Sequence, residues 1–228
     1  MNVLVLDVGG TNIKVGVTGQ EEVRKVPSGP DMTPQRLVED VREATKDWQF
    51  NAISVGFPAP VVRGQIQREP ANLAPGWVGF DFAAAFGKPV KVINDAAMQA
   101  LGSYEGGRML FMGLGTGLGT TLIIDNLVAP MELAHLPFRK KRTYEDYLGE
   151  RGLHRLGRRR WQDYVEEVVA LFKAGFVVDY VVLGGGNAKK LLRLPPHARA
   201  GDNRNAMLGG FRLWEKDEQT QQHRYGNG

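Results

Sequence analysis

Two stretches of the chain repeat one plan. Val3–Val17 and Met109–Ile124 each read as an apolar strand, a tip rich in Gly and Thr, and a second apolar strand. The first tip is Asp7-Val8-Gly9-Gly10-Thr11 and the second runs Gly113-Leu114-Gly115-Thr116-Gly117-Leu118-Gly119. Short apolar runs flanking turn residues signal a hairpin. The same opening hairpin met twice in one chain implies a duplicated architecture, with ligands expected in the cleft between its halves.

The remaining pattern alternates helix and strand, which points to an α/β fold. Pro34–Trp48 has helical spacing, with Leu37, Val41 and Ala44 on one face. Ala52–Gly56, Pro89–Ile93 and Val178–Leu183 read as strands, and Asn94-Asp95 opens a helix to about Tyr104. Residues 80–86 read as a short helix, and Tyr144–Leu156 and Trp161–Ala174 as longer ones. The segment 58–79 is rich in Pro and Gly and holds Asn72 and Trp77. A loop of that length inside a compact domain is usually functional. The expected division is a small domain over 1–94 and a larger one over 95–204. A last helix, about 205–214, returns to the first domain, and a flexible tail covers 215–228.

Composition narrows the functional classes. The 228 residues contain no cysteine, which excludes a disulfide scaffold and a thiolate zinc site. No run of about 18 apolar residues exists to span a membrane. Met1–Asp7 lacks the basic start and long apolar run of a signal peptide, so the cytoplasm is the expected compartment. The net charge is +4, with basic residues gathered at Arg139–Arg142, Arg158–Arg160 and Lys189-Lys190. Such runs are either solvated surface or a track for a polyanion. The aromatic-rich motifs of nucleic-acid modules are absent, so a phosphate-rich ligand is the better candidate.

The glycine tips have chemistry of their own. Glycine lets backbone N–H groups approach an anion, and Thr11 and Thr116 add hydroxyl donors. Neither tip ends in the Gly-Lys-Ser/Thr of a P-loop. Neither leads into the helix that a dinucleotide fold requires. Asp7 is either a turn former or a carboxylate able to hold Mg²⁺ directly or through water. Asp95 follows a strand and starts a helix. An acid there is by itself more often an N-cap than a base. Strand ends nonetheless carry catalytic groups in α/β folds, and phosphoryl transfer to an alcohol needs an acceptor for the hydroxyl proton. Glu132, His135 and Glu145 are groups that can bind vicinal sugar hydroxyls, or parts of a metal site. Gly184-Gly185-Gly186 is either a plain turn or a place for a flat ring to approach the backbone.

Taken in order, Asp7-Val8-Gly9-Gly10-Thr11-Asn12-Ile13-Lys14, Asn94-Asp95-Ala96, Gly113–Thr120 and Glu132-x-x-His135 resemble the motifs of the ROK family of sugar kinases and repressors. Asn72-Leu73-Ala74-Pro75-Gly76-Trp77, Tyr144-Glu145-Asp146-Tyr147 and Leu183–Lys190 look most like its polyphosphate-dependent glucokinase branch. The resemblance implies an actin-like (ribonuclease H-like) duplicated fold of two α/β domains flanking a cleft. It implies phosphorylation of glucose at its 6-hydroxyl, with Asp95 as catalytic base. Asn72, Asn94, Glu132, His135 and Glu145 would be sugar contacts. Gly9, Gly10, Thr11 and Lys14, with Gly115, Thr116 and Gly117, would bind phosphate. Gly184, Gly185 and Gly186 would bind nucleotide, with Mg²⁺ near Asp7 as cofactor.

Two departures stand out. Ala134 replaces the glycine usual between Glu132 and His135, and the cysteine-rich zinc motif that often follows is missing, so zinc is not expected. No helix-turn-helix precedes the first strand, so DNA binding is not expected. The donor stays open between ATP and polyphosphate, and homodimers are common among resembling proteins. The alternatives are a kinase for another hexose, such as mannose, and a non-catalytic sugar sensor on the same scaffold.

Overall fold

The structure is a computed structural model that describes residues 1–202 and 204–225, the backbone alone over 216–225. The chain divides into two compact units. One is Met1–Met98 with the C-terminal helix from Ala206, and the other is Gln99–Asn205.

The first unit contains β1 (Val3–Val8), β2 (Asn12–Val17), β3 (Arg24–Pro27), α1 (Pro34–Ala44) and β4 (Ala52–Phe57). A small hairpin follows, β5 (Val61–Val62) with β6 (Gln65–Ile66), then α2 (Phe82–Phe86), β7 (Val90–Asn94) and the start of α3 (Asp95–Ser103). The second contains β8 (Arg108–Leu114), β9 (Leu118–Ile124), β10 (Leu127–Met131), the short hairpin β11 (Pro137–Arg139) and β12 (Arg142–Thr143), α4 (Tyr144–Leu148) and α5 (Glu150–Phe176). It closes with β13 (Tyr180–Gly184) and β14 (Ala198–Ala200), before α6 (Asn205–Tyr225).

The expected duplication is present in the sheets. Their strand orders are β3-β2-β1-β4-β7 and β10-β9-β8-β13-β14. In each, three consecutive strands pair antiparallel and two later ones join in parallel. Every residue of β1, β4 and β13 is buried. Strands covered on both faces carry no polar alternation, which is why these read as plain apolar runs.

Several helix limits differ from the periodicity. Thr33 caps α1, its hydroxyl accepting from Arg36 N at 3.2 Å, and Pro34 opens the first turn. The spacing extends to Trp48, but α1 ends at Ala44. Trp48 leaves the helix to enter the core, under the Arg24 guanidinium at 4.0 Å from its ring centroid. The helix expected over Tyr144–Leu156 is split at Gly149 into α4 and α5, and α5 kinks at Gly157 (φ 74, ψ 158).

α6 packs within the first unit. Ser54, fully buried on β4, donates to Gly210 O at 2.6 Å and accepts from Trp214 Nε1 at 2.9 Å. Lys91 Nζ donates to Leu213 O at 2.9 Å and lies 4.5 Å from the Trp214 ring centroid. The tail expected over 215–228 begins inside this helix; its side chains from 216 and residues 226–228 lie outside the described residues. Among the described residues no helix is long and apolar enough to cross a membrane.

Val177 ends α5 in the left-handed region (φ 52, ψ 46), where a β-branched side chain is strained. Its side chain is 69% exposed, so little packing is lost on removal. Val177→Gly should stabilise the protein by about 1 kcal/mol, read as a rise in denaturation midpoint. An unchanged or lower midpoint would contradict this.

Candidate functional site

In the first unit, strand register gathers the candidate residues at one end of the strands. Asp7 on β1 pairs with Gly56 on β4, and Gly56 pairs with Ile93 on β7. Asn94 and Asp95 follow directly. This is the carboxyl end of the parallel strands, where α/β proteins place their chemistry. Asp7 is buried, and its Oδ2 takes the Lys14 ammonium at 2.9 Å from the adjacent strand. The β1–β2 tip closes by Gly9 N donating to Asn12 O at 3.1 Å. Ser28 engages the tip's carbonyls: its hydroxyl donates to Gly9 O at 2.6 Å and its N–H to Thr11 O at 2.9 Å. Asn72 leans on this tip, its Cβ 2.9 Å from where a Cβ on Gly10 would stand.

Asn94 and Asp95 divide two roles that a sequence leaves merged. Asn94 Oδ1 accepts from Ala97 N at 3.1 Å and caps α3, while its Nδ2 donates to Ala59 O at 3.3 Å. Capping therefore falls to Asn94 rather than Asp95. Asp95 sits in the first turn, accepting from Ala96 N at 2.8 Å through Oδ1. The positive end of a helix favours an ionised carboxylate there. Gly56 seats this turn. A Cβ on Gly56 would lie 2.3 Å from Met98 Cε and 3.5 Å from Asp95 Cα. Sequence reasoning passed over Gly56, although a glycine inside an apolar strand is a signal of close approach.

In the second unit, three separate motifs meet. Glu145 is held near the second tip by the capping box of α4, in which Thr143 and Asp146 bond reciprocally. Its Oε2 accepts from Leu118 N at 3.4 Å and lies against Gly117, while Oε1 faces Arg151 at 3.5 Å. The turn after β13 lies on the same tip. Asn187 Nδ2 donates to Gly115 O at 2.9 Å, and Gly185 (φ 82) lies so close that a Cβ would be 2.4 Å from Leu114 O. Gly115, Thr116, Gly117, Glu145 and Gly184–Gly186 thus form one cluster. Glu132 and His135 form a half-exposed pair, His135 Nε2 3.5 Å from Glu132 Oε2. Thr120 ties them to β9, donating to Met131 O at 2.8 Å and accepting from Leu133 N at 3.4 Å. The Ala134 methyl is buried in this unit's core with Tyr147 and Leu148.

The basic runs have mixed settings. Arg139 pairs with Glu167, and Lys140 and Lys141 form the β11–β12 turn. Arg158 donates to Lys190 O and, at 3.2 Å, to Leu191 O. Gln162 continues this clamp, donating to Arg193 O at 3.0 Å and accepting from Leu192 N at 2.9 Å. Leu153, His154, Arg158, Lys189 and Lys190 line a pocket of about 480 Å³. Among the described residues no group of three or more His, Asp or Glu gathers as metal ligands.

A family model described as "ROK family" matches residues 3–129. No curated protein sequence matches. Among solved structures, the chain is similar to the inorganic polyphosphate/ATP-glucomannokinase of Arthrobacter sp. strain KM, with TM-score 0.79 and 24% identity over 95% of this chain and 99% of that one. It is also similar to the ROK hexokinase of Thermus thermophilus (0.71, 23%, covering 95% and 100%). A ROK family glucokinase from Streptomyces griseus, in complex with glucose and AMPPNP, gives 0.72 and 17%, covering 93% and 99%. The fold is the actin-like one.

Gly185→Ala combines a strained φ with a backbone collision. It should cost about 2–3 kcal/mol, measured as a lowered denaturation midpoint. A midpoint equal to the wild type would contradict the placement of this turn on the second tip.

Proposed function

The chain belongs to the ROK family, and from that premise we propose that it is a sugar kinase that phosphorylates glucose at the 6-hydroxyl, using polyphosphate and/or ATP. The observation that carries the reading is Asp95. It is a carboxylate in the first turn of a helix that a neighbour caps, at the carboxyl end of parallel strands. In the reaction the 6-hydroxyl oxygen attacks the terminal phosphorus of the donor. The bond from that phosphorus to the bridging oxygen breaks, and Asp95 takes the hydroxyl proton. Asn72, Asn94, Glu132, His135 and Glu145 bind sugar hydroxyls. Backbone N–H groups and hydroxyls at Gly9, Gly10 and Thr11, and at Gly115, Thr116 and Gly117, bind phosphate oxygens together with Lys14.

Asp7 suits a Mg²⁺ ion. Such an ion keeps several waters and takes one or two carboxylates plus phosphate oxygens, and Asp7 is a buried carboxylate near the carboxyl end of β1. Bound there, Mg²⁺ supplies neutralising charge to the donor phosphates. For the donor, Gly184–Gly186 offers a glycine-lined approach for a nucleotide. The pocket beside it carries the positive charges of Arg158, Lys189 and Lys190, which favour a long anion. The likeness to a glucomannokinase supports mannose as a second acceptor.

Asp95→Asn should lower kcat by about 10³-fold while glucose affinity, measured by calorimetry, stays within about twofold. Activity near the wild-type level would remove Asp95 as the base. Rates with polyphosphate should fall steeply as salt rises, because a basic track is screened. A flat salt response, with ATP alone active, would remove the polyphosphate reading.

A further inference from the structure

Asn72 lies on irregular backbone between β6 and α2, so something other than a strand ladder must fix it. Part of the answer is apolar. Trp77 is fully buried, 4.9 Å from the Phe57 ring centroid and 6.3 Å from that of Phe82, and Leu73 is also in the core. Trp77 Nε1 donates to Ala74 O at 2.5 Å, and Ala74 N donates to Met32 O at 3.2 Å.

The other part is a single carboxylate. Glu69 Oε2 accepts from Gly76 N at 3.1 Å and Trp77 N at 3.0 Å, and Oε1 accepts from Val78 N at 3.2 Å. One side chain therefore ties the entry of the loop to three consecutive N–H groups at its exit. Residues 70–75 are closed off between them, with Asn72 set against Gly10. The carboxylate is well matched to this seat. Desolvation works against its charge, yet the N–H groups of Trp77, Val78 and Gly76 outweigh that and hold Glu69 below the usual carboxylate range.

We propose that Glu69 is a positioning residue for sugar binding, clamping the Gly76–Val78 backbone so that Asn72 is held in place against the first glycine tip. The proposal rests on the reading of Asn72 as a sugar contact. Glu69 acts through the backbone it clamps, its carboxylate being taken up by those three N–H groups. Losing it should loosen the loop and weaken sugar capture, leaving the reacting groups as they were.

The test compares Glu69→Ala, Glu69→Gln and Asn72→Ala in the full chain. Glu69→Ala should raise KM for glucose roughly tenfold, with kcat and the donor KM within about twofold. Hydrogen exchange should quicken in the segment holding residues 76–78. Glu69→Gln keeps one carbonyl acceptor but turns an NH₂ toward an N–H, so it should give a smaller rise. The double variant Glu69→Ala/Asn72→Ala should raise KM no further than Asn72→Ala alone. If Asn72→Ala raises KM and Glu69→Ala does not, the proposal is overturned and the sugar reading survives. If Asn72→Ala leaves KM unchanged, the reading of Asn72 fails and the proposal fails with it.

Discussion

The parallel pairing of β1, β4 and β7 is the interaction on which the first unit depends. It sets Asp7, Gly56 and Ile93 in one row, with Asn94 and Asp95 just beyond. All residues of β1 and β4 are buried. A slip of one residue would turn every side chain of a strand to the other face. The second sheet repeats the plan, pairing β13 with β8 so that Gly184 stands opposite Gly113. The same topology thus serves different chemistry, a carboxylate in one unit and a glycine turn in the other.

Around these rigid sheets, irregular segments are held by side chains bonding to backbone. Glu69 and Trp77 hold the loop of Asn72. Arg158 and Gln162 hold four consecutive residues, Lys190 to Arg193, after the glycine turn. Ser28 holds the first tip. Each satisfies backbone groups that no ladder serves. Binding groups on loops gain precision from such supports, because a rigid element carries the partner.

Much of this was legible in the residues. The twin hairpins gave away the duplication because their apolar runs and glycine tips are local signals. The edge strands β3 and β10 were not legible. Arg24–Pro27 is mostly polar, and β10 contains Pro130, so neither shows strand periodicity. Helix ends were misjudged where tertiary contacts decide them, as at Trp48 and Gly149. In the site, spacing marked Asn94 and Asp95 but not which of them caps. That depends on the side-chain rotamer, with Asn94 Oδ1 reaching Ala97 N. Glu69 gave no signal at all, since its partners are backbone atoms whose positions only the folded loop defines.

All the proposed site roles converge on phosphoryl transfer to a sugar hydroxyl. Phosphorus NMR of the wild-type protein with glucose, Mg²⁺ and either ATP or polyphosphate tests it most directly. The account predicts a growing phosphomonoester resonance coupled to the two C6 protons of the sugar. A mixture in which glucose binds but only unchanged donor or inorganic phosphate appears would contradict it, and would leave a sugar-binding protein without transfer.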